Sequence, residues 1–565
     1  MSAKSYTTVL HTYLDSLESN PSGLALRTVT RSGETSELSY NDLYQFAGRV
    51  VNGFKELGIK PGDCLVVGMA TCPELFALYL GALFYRVILL IEPVPRVSRE
   101  KELTYSRLDS LLKQIGARYL IIRESTAEAL GPQFANRLLT IERILNCAEA
   151  SEPALMAQGD DIAHLQLSSG STGKRKIAII RHRNIVANIS GIGTAIKLRA
   201  EDNLAFWLPL FHDMGLIAVS CSIYWQRHMT VTDPSNFVRN PIRFWLQLIS
   251  QYRATITAAP NSAYEACARL AAMRKFEDLD LSSCRAAFWG AELIHPQTLQ
   301  RFHDAFAPYG FRKEASLPVY GLAEATLAVT VSNVESAPVI DRRDANLIEA
   351  ERSNEIDKGS AGRQVEVVCV GSPLLNHKLR IVDAQKQSLA EGVVGEIEVA
   401  GPSVVDGFWD YPNEVDPRPS TDAYLSTGDL GYIRGGELYV IGRKKEIIIV
   451  RGENFIPEEV EACADKIVNS GIQKGIAAVG IENTSSKTEA VHILIESRTL
   501  PVPDSFSLEE RIRTALAETL GLNGVAIHWV AKGTIPKTTS GKIQRFRCRE
   551  LAEAGLQVGA GRNIK

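Results

Sequence analysis

Missing from these 565 residues is any apolar run able to cross a bilayer. The most continuously apolar stretch, Leu75 to Tyr85, stops at Arg86, well short of the roughly 20 residues a membrane helix needs. The opening "MSAKSYTTVLHTYLD" lacks the apolar centre of a secretion signal. A cytoplasmic protein with no membrane span is therefore expected. There is no excess of positive charge: 62 Lys and Arg stand against 65 Asp and Glu, for a net charge of −3. Nothing in that balance suits nucleic acid. The nine cysteines include no C-x-x-C pair, which excludes the usual zinc framework and leaves buried free thiols as the expectation. Internal repeats and low-complexity segments are also absent.

What is present is alternation. The length is too great for one core, so two or more domains are expected. Strand-like "CLVVGMA" precedes "PELFALYLGALF", which reads as an amphipathic helix. "RYLIIRE" is a further short apolar run. "RATITAAP" leads into "NSAYEACARLAAM". "RAAFW" leads through "GAELIHP" into "QTLQRFHDAF", with Pro296 placed to open a helix. "SLPVY" leads into helix-like "GLAEATLAV". This pattern predicts an α/β fold, a large N-terminal domain of layered, largely parallel sheets flanked by helices. Beyond about residue 440 the texture changes. Charge-dense "GRKKEIIIVRGENF" gives way to a helix-like "IPEEVEACADKIV", a strand-like "AVHILIES" and a helix-like "SLEERIRTALAETL". The predicted division is 1–441 and 442–565, the second a small α+β domain.

The most distinctive local feature is "LQLSSGSTGKRK" (165–176). Two glycines free the backbone to turn tightly. Ser168, Ser169, Ser171 and Thr172 offer hydroxyls; Lys174, Arg175 and Lys176 offer charge. Amides, hydroxyls and cations together suit a phosphate. The stretch lacks the Walker spacing and is followed by "KIAII", a strand rather than a helix. A ligand-free Ser/Gly hairpin turn is the plain alternative. Ligands of parallel α/β folds sit at the carboxyl ends of strands. This loop, "FWGAE" and "VYGLAEAT" all begin at such ends, so the three are expected to meet in one cleft.

"SSGSTGKRK", "YGLAEAT", "STGDLG", "IGRKKEIII" and "PKTTSGKIQR" occur in this order between residues 168 and 545. As a set they resemble the adenylate-forming superfamily. "WLPLFHDMGLIAVS", "APNSAYEACARL" and "GAELIHPQTLQRFHDAFAPYGFR" narrow the resemblance to its fatty acyl-AMP ligases. That resemblance implies an enzyme that uses ATP and Mg2+ to turn a fatty acid into its acyl-adenylate, then transfers the acyl group to the phosphopantetheine thiol of an acyl carrier protein. The setting it implies is lipid, polyketide or nonribosomal peptide biosynthesis. It also implies roles. Ser168, Ser169, Gly170, Ser171, Thr172, Gly173 and Lys176 hold the β- and γ-phosphates. Gly290, Ala291 and Glu292 lie against adenine, and Tyr320, followed by Gly321, stacks on it. Glu324 is the magnesium ligand. Asp429 takes the ribose hydroxyls beside Arg443. Lys445 is the hinge of a mobile C-terminal domain, and Lys542 bridges the reacting carboxylate and the α-phosphate. His212 and Asp213 lie near the acyl carboxylate, with Trp289 expected to narrow the acyl pocket.

The chemistry is sensible in its own right. A carboxylate attacking a polyphosphate brings anion to anion, and cations must offset the repulsion. A carboxylate such as Asp429 is a two-oxygen acceptor suited to a vicinal diol. Singly, each residue has a plainer reading. Glu324 fits a helix N-terminus, Asp429 a turn and Lys542 a solvated surface. His212 and Asp213 resemble half of a hydrolase triad, but the sequence has no G-x-S-x-G elbow to complete one. Departures from the family pattern are Arg175 for Pro, Ile177 for Gly, and Trp289 for a smaller residue. The segment 337–362 is longer than acyl-CoA synthetases carry, and fatty acyl-AMP ligases have an insertion there that limits domain movement. Two alternatives stay open: an acyl-CoA synthetase, and a degenerate nucleotide-binding homologue.

Overall fold

A computed structural model of the chain describes residues 6–95, 101–130, 132–146, 152–168, 176–344, 364–411, 416–417, 423–450, 453–468, 473–483, 488–537 and 542–557. Two large sheets dominate. A nine-stranded sheet has at its centre Ser316–Gly321, Ala286–Gly290, Ile256–Pro260, Leu204–Phe206, Met229–Thr232 and Leu24–Val29, all parallel. An eight-stranded sheet has as its parallel part Ile162–Leu167, Ile88–Ile91, Cys64–Val67, Tyr119–Ile122 and Leu138–Thr140. Antiparallel strands close the edges of both. Layered, largely parallel sheets were predicted, and this is the arrangement found.

Local chemistry accounts for many element boundaries. Ser39 caps the helix Tyr40–Glu56 in a reciprocal box: its hydroxyl accepts from the Asp42 amide at 3.0 Å, and the Asp42 carboxylate accepts from the Ser39 amide at 3.0 Å. Pro296 opens Pro296–Phe306 as predicted, and Pro73 and Pro457 start their helices likewise.

Two sequence expectations need correction. The helix Pro73–Tyr85 is not amphipathic, because Leu75 to Phe84 are all buried. A helix apolar all round belongs in an interior. Here the Tyr79 hydroxyl lies 3.2 Å from Ser220 Oγ on the helix Asp213–Trp225 and 3.3 Å from His164 of the eight-stranded sheet. "GLAEATLAV" is not a helix either. A 3-10 turn, Ala323–Ala325, leads into the strand Ala328–Val331, which pairs antiparallel with the strand it follows. Close backbone approach forces this: a Cβ on Gly321 would meet the Leu327 carbonyl oxygen at 1.9 Å. The cysteine expectation holds for seven of the eight described, all free and buried, while Cys72 is half-buried.

Later residues build a four-stranded antiparallel sheet, Lys378–Val382, Gly395–Ala400, Leu425–Arg434 and Glu437–Arg443. A three-stranded sheet follows, Gln473–Asn483, Thr488–Ser497 and Ala526–Ala531, covered by the helices Pro457–Ile467, Ser505–Leu520 and Arg545–Gln557. Its apolar core, from Ile448 to Val525, draws on residues after 447 only. Strand–helix mixing of this kind is what the sequence led one to expect there. Most of the long segment 337–362 lies outside the described residues. Its flanks form a ribbon, Ile340–Asp344 paired antiparallel with Gln364–Val368.

Candidate active site

A cavity of about 570 Å³ opens where the strands of the large sheet end. Ser168 and Lys176, Gly290 and Ala291, Tyr320 to Glu324, and Asp429 with Arg443 all line it. Gly290, Ala291, Tyr320 and Gly321, far from one another in sequence, meet because parallel strands deliver their carboxyl ends to one edge, and an antiparallel pair adds Asp429 and Arg443. The antiparallel pair Ile162–Leu167 and Ile177–Arg181 presents the Ser/Gly loop as a hairpin, closed by the Ser168 amide donating to the Lys176 carbonyl at 2.8 Å. The Lys176 ammonium sits over the Phe408 ring at 4.5 Å. Ser169, Gly170, Ser171, Thr172 and Gly173 lie outside the described residues.

At the wall, the Tyr320 hydroxyl donates to Asp429 Oδ2 at 2.7 Å, and Arg443 Nε lies 3.4 Å from Asp429 Oδ1. Asp429 and Arg443 face each other across paired strands. Burial raises the Asp429 carboxyl above its ordinary range, against the opposing pull of Arg443, the Tyr320 hydroxyl and Lys542. Burial opposes the Arg443 charge, but Asp429, Glu446 and Glu324 outweigh it and hold that pKa above its usual value.

Glu324 is clamped through its backbone. The Val405 amide donates to its carbonyl at 2.9 Å, and Asn188 Nδ2 and Ser403 Oγ donate to the turn at the Ala328 and Ala325 carbonyls, at 2.7 and 3.0 Å. The residue lines the cavity. Burial lifts its pKa, and Asp213 adds to the rise against Arg443 and Lys176.

His212 precedes the helix Asp213–Trp225, and its Nδ1 lies 2.6 Å from Asp213 Oδ1. The same oxygen accepts from the Met214 amide at 2.7 Å. Burial works to raise the Asp213 carboxyl, but His212 and then Lys542 bring it below its ordinary range. Gln166 Nε2 fixes this corner by donating to the Phe211 carbonyl at 3.1 Å.

Lys542 arrives from the C-terminal part of the chain and lines the same cavity. Burial depresses its pKa and Arg443 adds to the depression, while Asp213, Glu292 and Asp429 favour the charge. Three residues on, Arg545 enters a carboxylate cage of Glu446, Glu458 and Glu461, with Nε 3.2 Å from Glu446. Burial pushes Glu461 up to about 7 despite Arg545. Lys445 is exposed on the turn after the strand Glu437–Arg443 and also borders the cavity.

Two expected positions are qualified. Glu292 is held away at the mouth, accepting from the Ser262 amide at 2.8 Å and the Ser262 hydroxyl at 3.1 Å. It borders a second cavity of about 390 Å³ that shares Tyr320, Asp429, Arg443 and Lys542 with the first. Trp289 does not line the acyl pocket. It is 0% exposed and stacks on Tyr264 at 3.5 Å, edge-on to Phe302. Side chains alternate along a strand, so Phe288 and Gly290 face the cavity and Trp289 the opposite side. Sequence reading missed Gln166, Phe288, Asn188 and the Arg545 cage; only the arginine, at the end of "PKTTSGKIQR", carried a signal there.

The interior of the cavity is apolar, walled by Phe206, Ala258, Phe288 and one face of the helix Asp213–Trp225. A charged mouth thus opens into an oily chamber, a shape for a molecule with one anionic end and one aliphatic end.

The AMP-binding enzyme family matches residues 16–409, and the chain belongs to it. Among the relatives is JamA of Moorena producens (strain JHB), a medium-chain-fatty-acid–[acyl-carrier-protein] ligase. It is 32% identical over 496 residues, 84% of this chain and 83% of its own. FadD26 of Mycobacterium tuberculosis (strain ATCC 25618 / H37Rv), a long-chain-fatty-acid–AMP ligase, is 31% identical over 571 residues, 96% of this chain and 94% of its own. A solved structure from work on fatty acyl-adenylate ligases of E. coli and L. pneumophila superposes with a TM-score of 0.86 at 27% identity, covering 98% of this chain and 99% of the other. No helix among the described residues is long and apolar enough to cross a membrane.

Proposed function

We propose that the protein is a fatty acyl-AMP ligase. It joins a medium- or long-chain fatty acid to AMP, releases pyrophosphate, and hands the acyl group to the phosphopantetheine thiol of an acyl carrier protein. The observation that carries this reading is the cavity itself, polar and charged at its mouth and apolar within. The named activities of the related ligases support it, and the free thiols suit a cytoplasmic setting.

In the first step a carboxylate oxygen attacks the α-phosphorus of ATP, the bond to pyrophosphate breaks, and a mixed anhydride forms. No proton need be removed from the acid, so His212, held by Asp213, positions the carboxylate rather than acting as a base. Lys542 offsets the charge that builds between the two anions. Asp429 accepts from the ribose hydroxyls, Tyr320, Gly290 and Ala291 flank the base, and the loop from Ser168 to Lys176 takes the outer phosphates. Glu324 would hold Mg2+, which would add positive charge at the phosphate oxygens. Among the described residues no group of three or more ligating side chains occurs, in keeping with an ion held mainly by phosphates and water. In the second step the thiol sulfur attacks the acyl carbonyl and AMP leaves. We place the hinge at Lys445, with residues 442–565 turning as a unit to withdraw Lys542.

Carrier protein is favoured over coenzyme A by the ribbon of Ile340–Asp344 and Gln364–Val368. Val365 and Val367 share an apolar cluster with Tyr432 and Tyr439, and Ile456, near the start of the C-terminal unit, packs against that cluster. The test is acid-dependent pyrophosphate exchange, followed by a competition between holo-carrier and coenzyme A. Exchange that ignores added fatty acid would refute the ligase reading, and robust acyl-CoA formation would refute the choice of acceptor.

A further inference from the structure

We infer that the helix Asp213–Trp225 is a ruler for the acyl chain and that Trp225 is its stop, setting a medium-chain acid as the substrate. This rests on the fatty acyl-AMP ligase reading and makes it specific.

The helix begins at the reactive corner and runs inward. Met214, Ala218, Cys221 and Trp225, spaced four, three and four apart, all line the cavity, which is one face of a helix. The middle two are small and leave space, and the last is the largest side chain available. The indole of Trp225 reaches the neighbouring helix His182–Ala195, where Nε1 donates to the Ile189 carbonyl at 3.0 Å. A Cβ on Gly193 would meet Nε1 at 2.9 Å, so this glycine makes room for the ring. Leu204 and Ile256, partners across two parallel strands, line the same cavity. The ring is therefore held against the neighbouring helix with its polar atom satisfied, while it also lines the cavity.

At 1.5 Å per residue, Asp213 and Trp225 are about 18 Å apart along the axis. Tetrahedral carbon geometry advances an extended alkyl chain by about 1.25 Å per carbon, which sets a limit of roughly 14 carbons. The indole leans toward the start of its own helix and shortens the space by up to about one turn, so the fitted length is about 10 to 14 carbons. Ala218 lies about 7 Å beyond Asp213, the length of about six carbons.

The experiment is pyrophosphate exchange by the intact protein with saturated acids of about 6 to 18 carbons, given that one misfitted methylene changes discrimination by about tenfold or more. The wild type should peak between about 10 and 14 carbons and fall by about tenfold or more at 18. Trp225→Ala should raise the use of 16- and 18-carbon acids relative to dodecanoate by about tenfold. Ala218→Phe should do the reverse, suppressing acids beyond about eight carbons while hexanoate still supports exchange. The two variants move the optimum in opposite directions, which general destabilisation cannot do. Melting temperatures confirm that each is folded, and Trp225→Leu serves if the alanine variant is not. A wild type equally active on dodecanoate and octadecanoate would overturn the ruler, as would a folded Ala218→Phe with an unchanged profile. Exchange with no acid of any length would instead overturn the ligase reading itself.

Discussion

Replacing Lys542 by alanine should separate the two half-reactions. The ammonium is buried at the cavity mouth, with Asp213, Glu292 and Asp429 favouring its charge and Arg443 opposing it. In the proposed chemistry it meets negative charge that develops as carboxylate and α-phosphate come together. Removing one preorganised donor from such a site lowers a rate by about a hundredfold to a thousandfold, or about 3–4 kcal/mol. The variant also takes from Asp213 and Asp429 a cation that favours their charged forms, so the mouth becomes harder for a polyphosphate to enter. Adenylation should therefore fall by about a hundredfold or more, with a raised KM for ATP. The assay is acid-dependent pyrophosphate exchange, run beside acyl transfer from supplied acyl-adenylate to holo-carrier. Transfer should survive. Equal loss in both would refute the assigned role. The pH dependence gives a second reading of the same residue. Lysine is charged below its pKa, and burial moves that pKa below the usual 10.5. Adenylation should then decline with rising pH before an ordinary lysine would titrate, and the decline should be missing from the transfer step.

Other perturbations test the rest of the site. Asp429→Asn removes the charge and one of the two acceptor oxygens shared by Tyr320 and Arg443 and should weaken ATP by about 1.5–3 kcal/mol, read as a raised KM for ATP. Trp289→Ala should destabilise the protein by about 3–5 kcal/mol without changing the chain-length profile, because the ring packs on Tyr264 away from the cavity. A folded variant whose optimum shifts would show that account to be wrong. Arg545→Met should leave Glu446, Glu458 and Glu461 buried without their cation and cost about 3–5 kcal/mol, seen as a lower melting temperature. Unchanged stability would mean the cage is already neutral.

The parallel strands and the points at which they end were readable because a strand, a glycine and then a polar loop recur along the chain. "RAAFW" and "SLPVY" needed no partner to be recognised. Trp289 was misread because alternation places 288 and 290 on one face but does not say which face is hollow; that depends on what packs beneath. The turn after Tyr320 was misread for a related reason. "GLAEATLAV" has helix-forming composition, yet Thr326 sits at φ 72° and the chain folds back to pair with its own predecessor. Tertiary pairing overrides local preference in so short a segment. Asn188, Gln166 and Ser403 left no trace in the sequence, since each works on backbone groups brought near only by the fold.

Nearly all the residues that would bind nucleotide lie before residue 444, on loops held by the large sheets, while Lys542, the lysine we propose for adenylation, comes from a segment with its own apolar core. That separation has a physical use. A cation fixed among the nucleotide loops would favour adenylation but would also crowd the thiol that must later reach the same carbonyl. Mounting Lys542 on a second unit lets the charge be present for one reaction and absent for the next. The mount must be stiff for the lysine to arrive in register. The Arg545 cage supplies that stiffness, since its carboxylates come from the turn at Glu446 and from the helix Pro457–Ile467. Glu446 directly follows Lys445, so the cage ties the lysine's loop to the residue after the proposed hinge. Rotation there would carry Lys542 as part of a rigid body, and the packing of Ile456 on the cluster that also holds the ribbon's valines would have to yield for that body to turn.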